Sequence, residues 1–167
     1  MKLNLGCGDK KREGYVNADN CGTPDVLCDL SVFPWPWEDN SVDEVLSEHF
    51  LEHTQDYEKT ILEIHRILKP GGIIWFRVPH YRTPMATWHL HKWQFSTYTP
   101  IWLCSKIPYQ WGGRQLFEKV HLQVNYPGTG RWIGYLFTKL ANLSPFRWDF
   151  LGLPIEEIEF RGKKCSE

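Results

Sequence analysis

The chain has 167 residues, a formal net charge of −1 and 42% hydrophobic residues, and these values limit the kinds of protein it can be. This length is enough for one core of ordinary size and too little for two comfortable domains. The Lys and Arg residues are scattered along the sequence, which argues against nucleic acid or an anionic membrane as a partner. We therefore expect a single domain, residues 1–167, that acts on a small molecule.

The five cysteines are odd in number and lack C-x-x-C spacing. Such usage argues against a disulfide framework and a structural zinc site, and it favours a reducing, cytoplasmic environment. The first residues already have the pattern of a strand, and no apolar run approaches the ~18 residues that a membrane span needs. We expect neither a signal peptide nor a membrane segment.

The first half of the chain alternates short β-rich runs with turns rich in Gly, Pro and Asn. A helix is predicted over Asp56–Leu68 from its apolar spacing, and the Lys-Pro-Gly-Gly sequence after it is a stop signal. The run Ile73–Val78 is apolar and β-branched, which is typical of a strand buried on both faces of a parallel sheet. Four more strands are predicted before the helix: Lys2–Leu5, Tyr15–Asp19, Asp25–Cys28 and Val42–Ser47.

The second half begins with an aromatic, His-rich segment, residues 81–115, that we expect to be a lid or an acceptor-binding segment. It has a short helical pattern around Tyr98–Lys106. Residues 116–167 are predicted to add strands at Leu116–Asn125 and Pro154–Gly162, with a helix at Trp132–Leu143 between them.

The order of these elements predicts an α/β fold with a Rossmann-like, doubly wound, mostly parallel sheet and an antiparallel C-terminal strand. Residues 1–80 would then form a cofactor-binding core. The many Trp residues are interpreted first as packing material, although they also permit a sugar-stacking pocket.

A glycine-rich turn, Gly6-Cys7-Gly8, leaves the first predicted strand, and glycine lets backbone N–H groups approach a ligand closely. The next strand ends in Asp19, whose carboxylate can accept hydrogen bonds from two ribose hydroxyls. Asp19 follows the first glycine by 13 residues rather than the ~20 of dinucleotide-binding sequences, and Lys11 replaces the third glycine. The pattern therefore favours a nucleoside ligand with one carboxylate over NAD or FAD.

Five segments in this order and spacing resemble the motifs of class I S-adenosylmethionine-dependent methyltransferases: KLNLGCGD, GYVNAD, DVLCDL, FPWPWEDNSVDEVLSEHFLEH and LKPGGIIWFRVPHY. The resemblance covers Lys2–Tyr81 and is closest to short stand-alone methyltransferases. It implies S-adenosyl-L-methionine as the cofactor and methyl transfer as the activity. Compared with that family, the usual first helix has little room and the N-terminal helices that often cover the substrate are missing. We therefore expect later segments or a second subunit to build the acceptor site.

The resemblance also implies the residues that hold the cofactor. The cofactor loop falls on Gly6, Cys7 and Gly8, and the ribose-binding acid falls on Asp19. The acid for the adenine amino group falls on Asp29, with backbone help from Leu30. The segment that lines the methionine moiety and faces the acceptor falls on Ser47, Glu48 and His49. In the alternative interpretation, Asp29 and Glu48 are ordinary solvated carboxylates at strand ends, and His49 and His53 only cap or pack against neighbouring structure.

A histidine is the natural base for a hydroxyl acceptor, because its ordinary pKa of about 6.5 lies near operating pH. His80 follows the strand that ends at Pro79, where open α/β sheets place their ligand crevice. His89 and His91 have a spacing that also occurs in metal sites, but no third ligand is evident. We predict His80 and His89 as catalytic residues, no metal site, and loss of turnover without loss of cofactor affinity in His89→Ala.

These predictions describe a methyltransferase for a small-molecule acceptor, hydroxylated or sugar-like, with aromatic residues that would allow a homodimer. One alternative is a catalytically inactive cofactor-binding domain that acts as a partner or regulator. Another is a nucleotide-sugar-dependent or NAD-dependent enzyme on a similar sheet.

Overall fold

One seven-stranded sheet organises the computed structural model, which describes residues 1–106, 113–125, 132–151 and 155–166. The strand order is β3-β2-β1-β4-β5-β7-β6. Neighbours from β3 to β5 are parallel, whereas β7 is antiparallel to both β5 and β6. The strands are β1 Lys2–Leu5, β2 Val16–Asp19, β3 Val26–Leu27, β4 Val42–Glu48, β5 Leu68–Pro79, β6 Phe117–Asn125 and β7 Glu157–Lys164. The predicted Rossmann-like, mostly parallel sheet with antiparallel C-terminal pairing is confirmed.

Four α-helices lie in the part of the chain that the structure describes: α1 Tyr57–Ile67, α2 Thr99–Leu103, α3 Trp132–Leu143 and α4 Pro145–Phe150. Short 3₁₀ turns occur at Leu51–His53 and Pro84–Thr87. The side chain of Asp56 caps α1 by accepting a hydrogen bond from the Lys59 N–H, which explains why the helix begins there. The predicted helices agree with α1, α2 and α3, while α4 has no counterpart in the prediction. None of these helices has the length and apolar character to cross a membrane.

The stop signal after α1 marks the end of the helix correctly, but the strand that follows begins earlier than the predicted Ile73. Strand β5 begins at Leu68, which is buried and pairs with Val42. Pairing resumes at Ile73 opposite Glu44 after a register shift, and Gly71 has φ +78 within this irregularity. The glycines therefore form a β-bulge inside a 12-residue strand rather than a loop before it.

The last strand, β7, begins and ends later than predicted. It runs to Lys164, where it pairs with Phe117 of β6. The predicted beginning at Pro154 lies outside the described residues, as do residues 107–112 of the segment expected to bind the acceptor.

The connections among β1, β2, β3 and β4 contain no helix in the described residues, so the expected lack of room for a first helix agrees with the structure. The indole rings of Trp35 and Trp37 pack into the core instead, where they are 3% and 9% exposed. In the sheet, strand β1 lies between β2 and β4, so the chain continues on one side of β1 to β2 and β3 and then crosses to the other side for β4. This reversal places a topological switch point at the carboxyl ends of β1 and β4, where open α/β sheets bind ligands.

Candidate functional site

A cleft of about 670 Å³ opens at this carboxyl edge of the sheet. That volume lies within the ~300–1,000 Å³ common for small-molecule sites. Residues after β1, β2, β3 and β4 form its walls together with part of the aromatic segment: Gly6, Asp19, Asn20, Cys21, Asp29, Leu30, Ser31, His49, Phe50, His53, Thr54, Gln55, Trp88 and Leu90.

The glycine turn forms one end of the cleft. Gly6 has φ +69, and a Cβ there would come within 2.5 Å of the Phe50 side chain, so no larger residue fits. Gly8 has φ +50 and faces open space. Cys7 lies between them and is buried. Its burial and, to a smaller extent, the nearby Asp19 carboxylate raise the pKa of its thiol. Of the predicted loop residues, only Gly6 lies on the cleft wall.

Asp19 lies at the carboxyl end of β2 and is held by the backbone on both oxygens. Its Oδ2 accepts a hydrogen bond from the Gly8 N–H at 2.7 Å, and its Oδ1 accepts one from the Asn20 N–H at 2.7 Å. Each carboxylate oxygen can accept more than one hydrogen bond. The side chain is therefore oriented in advance and can still accept bonds from a diol.

Asp29 lies just beyond β3 on the same wall. Its Oδ1 accepts bonds from the Ser31 hydroxyl at 2.7 Å and the Ser31 N–H at 2.9 Å, and these bonds lower the pKa of Asp29. Within the described residues, no group donates to Oδ2, which leaves that oxygen for a ligand. The next residue, Leu30, is buried, and its carbonyl accepts a bond from the Trp35 indole at 3.1 Å.

The structure separates the three residues predicted after β4. Ser47 is fully buried within the strand, and Glu48 accepts a hydrogen bond from Arg77 at 3.1 Å, so neither lines the cleft. Only His49 does so. Its φ of 54 lies in the left-handed region, which is uncommon for a residue other than glycine and recurs at functional sites.

Two carboxylates hold the His49 ring. Its Nε2 lies 2.9 Å from Oε1 of Glu157, and its Nδ1 lies 3.2 Å from Oε1 of Glu52. The hydrogen bonds with Glu157 and then Glu52 raise the pKa of His49 to about 9. The ring is therefore an imidazolium at neutral pH, and it ties the end of β4 to β7.

The two histidines predicted to be catalytic do not line this cleft. His80 is fully buried, and its Nε2 lies 3.4 Å from Oδ2 of Asp149 without a well-directed hydrogen bond. Asp149 lines a different cavity of about 510 Å³. His89 is exposed and lies between Trp88 and Leu90, which are both on the cleft wall. The catalytic roles of His80 and His89 stay predictions.

The structure also brings together three side chains that the sequence analysis did not connect. Glu52 and His53 follow β4 in a 3₁₀ turn, and His91 approaches them from the aromatic segment. One potential ligand atom from each of the three lies within 4.8 Å of the others. The i, i+2 histidine spacing was the only signal for this cluster, and it pointed to His91 without its partners.

Comparison with known proteins identifies relatives of this fold. Residues 14–76 match the family described as "Methyltransferase domain". A search of curated proteins found no match.

Several solved structures are similar across nearly the whole chain. One is a possible histamine N-methyltransferase of Thermotoga maritima, 15% identical with a TM-score of 0.62, covering 98% of this chain and 81% of that one. Another is a putative methyltransferase solved in complex with the Trm112 activator of Haloferax volcanii, 17% identical with a TM-score of 0.58, covering 99% and 82%. A third is phosphoethanolamine N-methyltransferase 2 of Haemonchus contortus in complex with S-adenosylhomocysteine, 14% identical with a TM-score of 0.59, covering 99% and 48%.

These matches confirm the resemblance that the sequence motifs indicated. At 14–17% identity, these solved structures show that the chain shares their fold.

Proposed function

We propose that this chain, which has the fold of the class I S-adenosylmethionine-dependent methyltransferases, transfers a methyl group to a small-molecule acceptor. One observation supports the proposal above all. Gly6, Asp19 and Asp29 follow three adjacent parallel strands and line a single cleft at the switch point of the sheet. Hydrogen-bond acceptors for a sugar and a base thus lie in a row beside a turn that a bound ligand can approach closely.

The residues present fit such a ligand. We assign the Gly6-Cys7-Gly8 turn to the methionine end of the cofactor, Asp19 to the ribose hydroxyls, and Asp29 with Leu30 to the adenine. Of the predicted segment Ser47-Glu48-His49, His49 is the residue that lines the cleft, and it would border the methionine moiety and the acceptor. Residues 1–80 would hold the cofactor and 81–115 the acceptor, within one domain that 116–167 completes.

S-adenosylmethionine supplies an electrophilic methyl group that needs no activation when it is bound. The chain therefore has two tasks: to align the acceptor atom behind the methyl carbon and to receive a proton from a hydroxyl acceptor. Of the two histidines predicted as the base, geometry favours His89, which is exposed beside the cleft, over His80, which is fully buried. Exposed Trp88 offers a ring face for a sugar-like acceptor.

Calorimetric titration with S-adenosylhomocysteine and, in parallel, with NAD tests the cofactor assignment. Only S-adenosylhomocysteine should give saturable heat. Asp19→Ala should weaken binding by roughly 30-fold or more, because two hydrogen bonds to a charged group are lost. Glu38→Gln, an exposed change away from the cleft, is the control. Saturable heat with NAD alone, or equal affinity in both variants, would contradict the proposal.

Transfer itself is tested with labelled cofactor and a panel of hydroxylated and sugar-like acceptors. His89→Ala should abolish turnover and leave the affinity for S-adenosylhomocysteine intact. Unchanged turnover would remove His89 from the acceptor site. The alternative function, an inactive cofactor-binding partner or regulator, predicts S-adenosylhomocysteine binding without transfer to any acceptor in the panel.

A homodimer stays a prediction for this chain of 19.7 kDa. Several aromatic side chains of the acceptor segment are exposed, among them Trp88, Trp93 and Trp102. A second copy that covered them would help to close the acceptor side of the cleft. Size-exclusion chromatography with light scattering measures the mass directly, and a monomeric mass would contradict this prediction.

A further inference from the structure

Glu52, His53 and His91 place one carboxylate and two imidazoles at the rim of the cleft. The candidate ligand atoms of the three side chains all lie within 4.8 Å of one another, and the ring centroids of the two histidines are 4.7 Å apart. His53 is also part of the cleft wall. One of the three side chains therefore lines the same cleft as Trp88 and Leu90 of the segment assigned to the acceptor.

The carboxylate of Glu52 is fully buried. One oxygen, Oε1, is 3.2 Å from Nδ1 of His49, but the other, Oε2, has no hydrogen-bond partner among the described residues. A buried carboxylate oxygen without a partner is costly, typically by about 1–3 kcal/mol or more. A cation bound at Oε2 would remove this cost.

Each histidine has one ring nitrogen within 4.8 Å of the other candidate ligand atoms. Nδ1 of His53 lies 3.3 Å from the carbonyl oxygen of Leu90 and can donate its proton there, which leaves the lone pair on Nε2. Nδ1 of His91 is buried and has no hydrogen-bond partner among the described residues. A second ring nitrogen held by a backbone carbonyl is the usual arrangement of histidine ligands in proteins.

We propose that Glu52, His53 and His91 bind one divalent transition-metal ion, with Zn²⁺ as the type case. Two imidazoles and one carboxylate are a common donor set of catalytic metal sites with open positions, whereas Mg²⁺ and Ca²⁺ prefer oxygen ligands. Zinc bonds of about 2.0–2.1 Å place tetrahedral donors roughly 3.3 Å apart, so the side chains close on the ion as it binds.

Held by these three residues beside the cleft, the metal would supply open positions for an oxygen or nitrogen atom of the acceptor and so help to orient it. This role rests on the proposed methyl transfer, whereas metal binding does not. The site would also explain why the sequence shows no third ligand near His89 and His91. The two residues that would bind the ion together with His91 are Glu52 and His53, which come from the turn after β4.

Metal binding is tested on the full chain after treatment with a chelator, by calorimetric titration with Zn²⁺ and by absorption spectra with Co²⁺. One equivalent should bind, and Co²⁺ should give visible bands of a low-coordinate site. His53→Ala and His91→Ala should each weaken Zn²⁺ binding by about 100-fold or more. His121→Ala, which alters an exposed histidine on β6, is the matched control and should bind like the parent chain.

Several results would overturn the proposal. They are the absence of saturable Zn²⁺ binding in the parent chain, and equal losses in His91→Ala and His121→Ala. Loss of binding in His89→Ala with full binding in His53→Ala would also overturn it, because that would assign the ion to the neighbouring histidine pair. Glu52→Gln should bind weakly as well, and if this buried change prevents folding the two histidine variants decide.

Titration with S-adenosylhomocysteine, with and without Zn²⁺, separates this inference from the proposed function. Zn²⁺ binding without S-adenosylhomocysteine binding would support the metal site and contradict the methyltransferase proposal. The opposite result would overturn the metal site and leave the methyltransferase proposal standing.

Discussion

Gly6 shows how one residue connects the cofactor turn to the core. A side chain at this position would meet the Phe50 ring, whereas nothing lies within 4 Å of the corresponding point at Gly8. Both glycines have positive φ. The two positions therefore separate the effect of backbone conformation from that of packing.

Gly8→Ala should lower the free energy of unfolding by about 1–2 kcal/mol, because alanine is strained in the left-handed backbone conformation. Gly6→Ala should lower it by roughly 2–5 kcal/mol, because overpacking against Phe50 adds to the backbone strain. Urea unfolding of both variants measures the difference. Equal losses would mean that Phe50 moves aside without cost and that only the backbone requires Gly6.

His80 and Asp149 form a buried pair whose protonation affects stability. Burial lowers the pKa of His80 below its ordinary value, and the Asp149 carboxylate only partly opposes this. Burial alone would raise the pKa of Asp149, but hydrogen bonds from Thr97 and the nearby His80 lower it overall. The unfolded chain therefore binds a proton at position 80 more readily than the folded chain.

It follows that His80 stabilises the fold fully above pH 6.5 and that this stability is lost as the pH falls below that value. We expect the melting temperature to decrease from pH 8 to pH 5.5 less steeply in His80→Gln than in the parent chain. His121→Gln, on the exposed face of β6, is the control. If the melting temperatures of the parent and of His80→Gln fell in parallel with pH, His80 would be protonated equally in the folded and unfolded states.

Helix α1 is joined to the segment before β4 by the side chain of Glu63. Its Oε1 accepts hydrogen bonds from the Trp35 N–H at 2.6 Å and from Nη2 of Arg66 at 2.6 Å. Glu63 is only 8% exposed, so these hydrogen bonds replace the water that would otherwise solvate its carboxylate. The bond to Trp35 fixes the backbone of the segment that places Trp35 and Trp37 in the core.

Glu63→Gln should lower the free energy of unfolding by about 2 kcal/mol, less than for a fully buried pair because Arg66 is partly exposed. Glu58→Gln, an exposed change on the same helix, should stay within about 0.5 kcal/mol of the parent. Denaturant unfolding compares the two. A similar small effect in both variants would show that Trp35 keeps its position through packing alone.

Ligand binding at the cleft should stabilise the whole molecule, since its walls come from four strand ends and the aromatic segment. At 100 times its dissociation constant, S-adenosylhomocysteine should add about 2.7 kcal/mol to the free energy of unfolding. For a chain of this length that corresponds to roughly 5–10 °C in melting temperature. The same concentration of NAD should leave the melting temperature unchanged, and an equal rise with both nucleotides would contradict a specific cofactor site.

Local sequence determined the elements of this molecule and part of its site. The alternation of apolar residues and the placement of turn residues act over a few neighbouring positions. They therefore predicted the strands, the helices α1, α2 and α3, and the strand ends that bear Gly6, Asp19 and Asp29. The bulge at Gly71 was missed because a Pro-Gly-Gly run is equally suited to a turn and to an irregular strand.

Only the tertiary structure decided which side chains face the cleft and which are buried behind it. His80 follows a strand end, as a catalytic residue of this fold class would, yet it is fully buried, bridged to Phe95 of the aromatic segment and close to Asp149 of α4. His49 is hydrogen-bonded to Glu157, and His91 lies within 4.8 Å of Glu52, although these residues come from segments far apart in the chain. Such contacts depend on how the sheet orders its strands and how the aromatic segment folds over them, and no short-range pattern records that order.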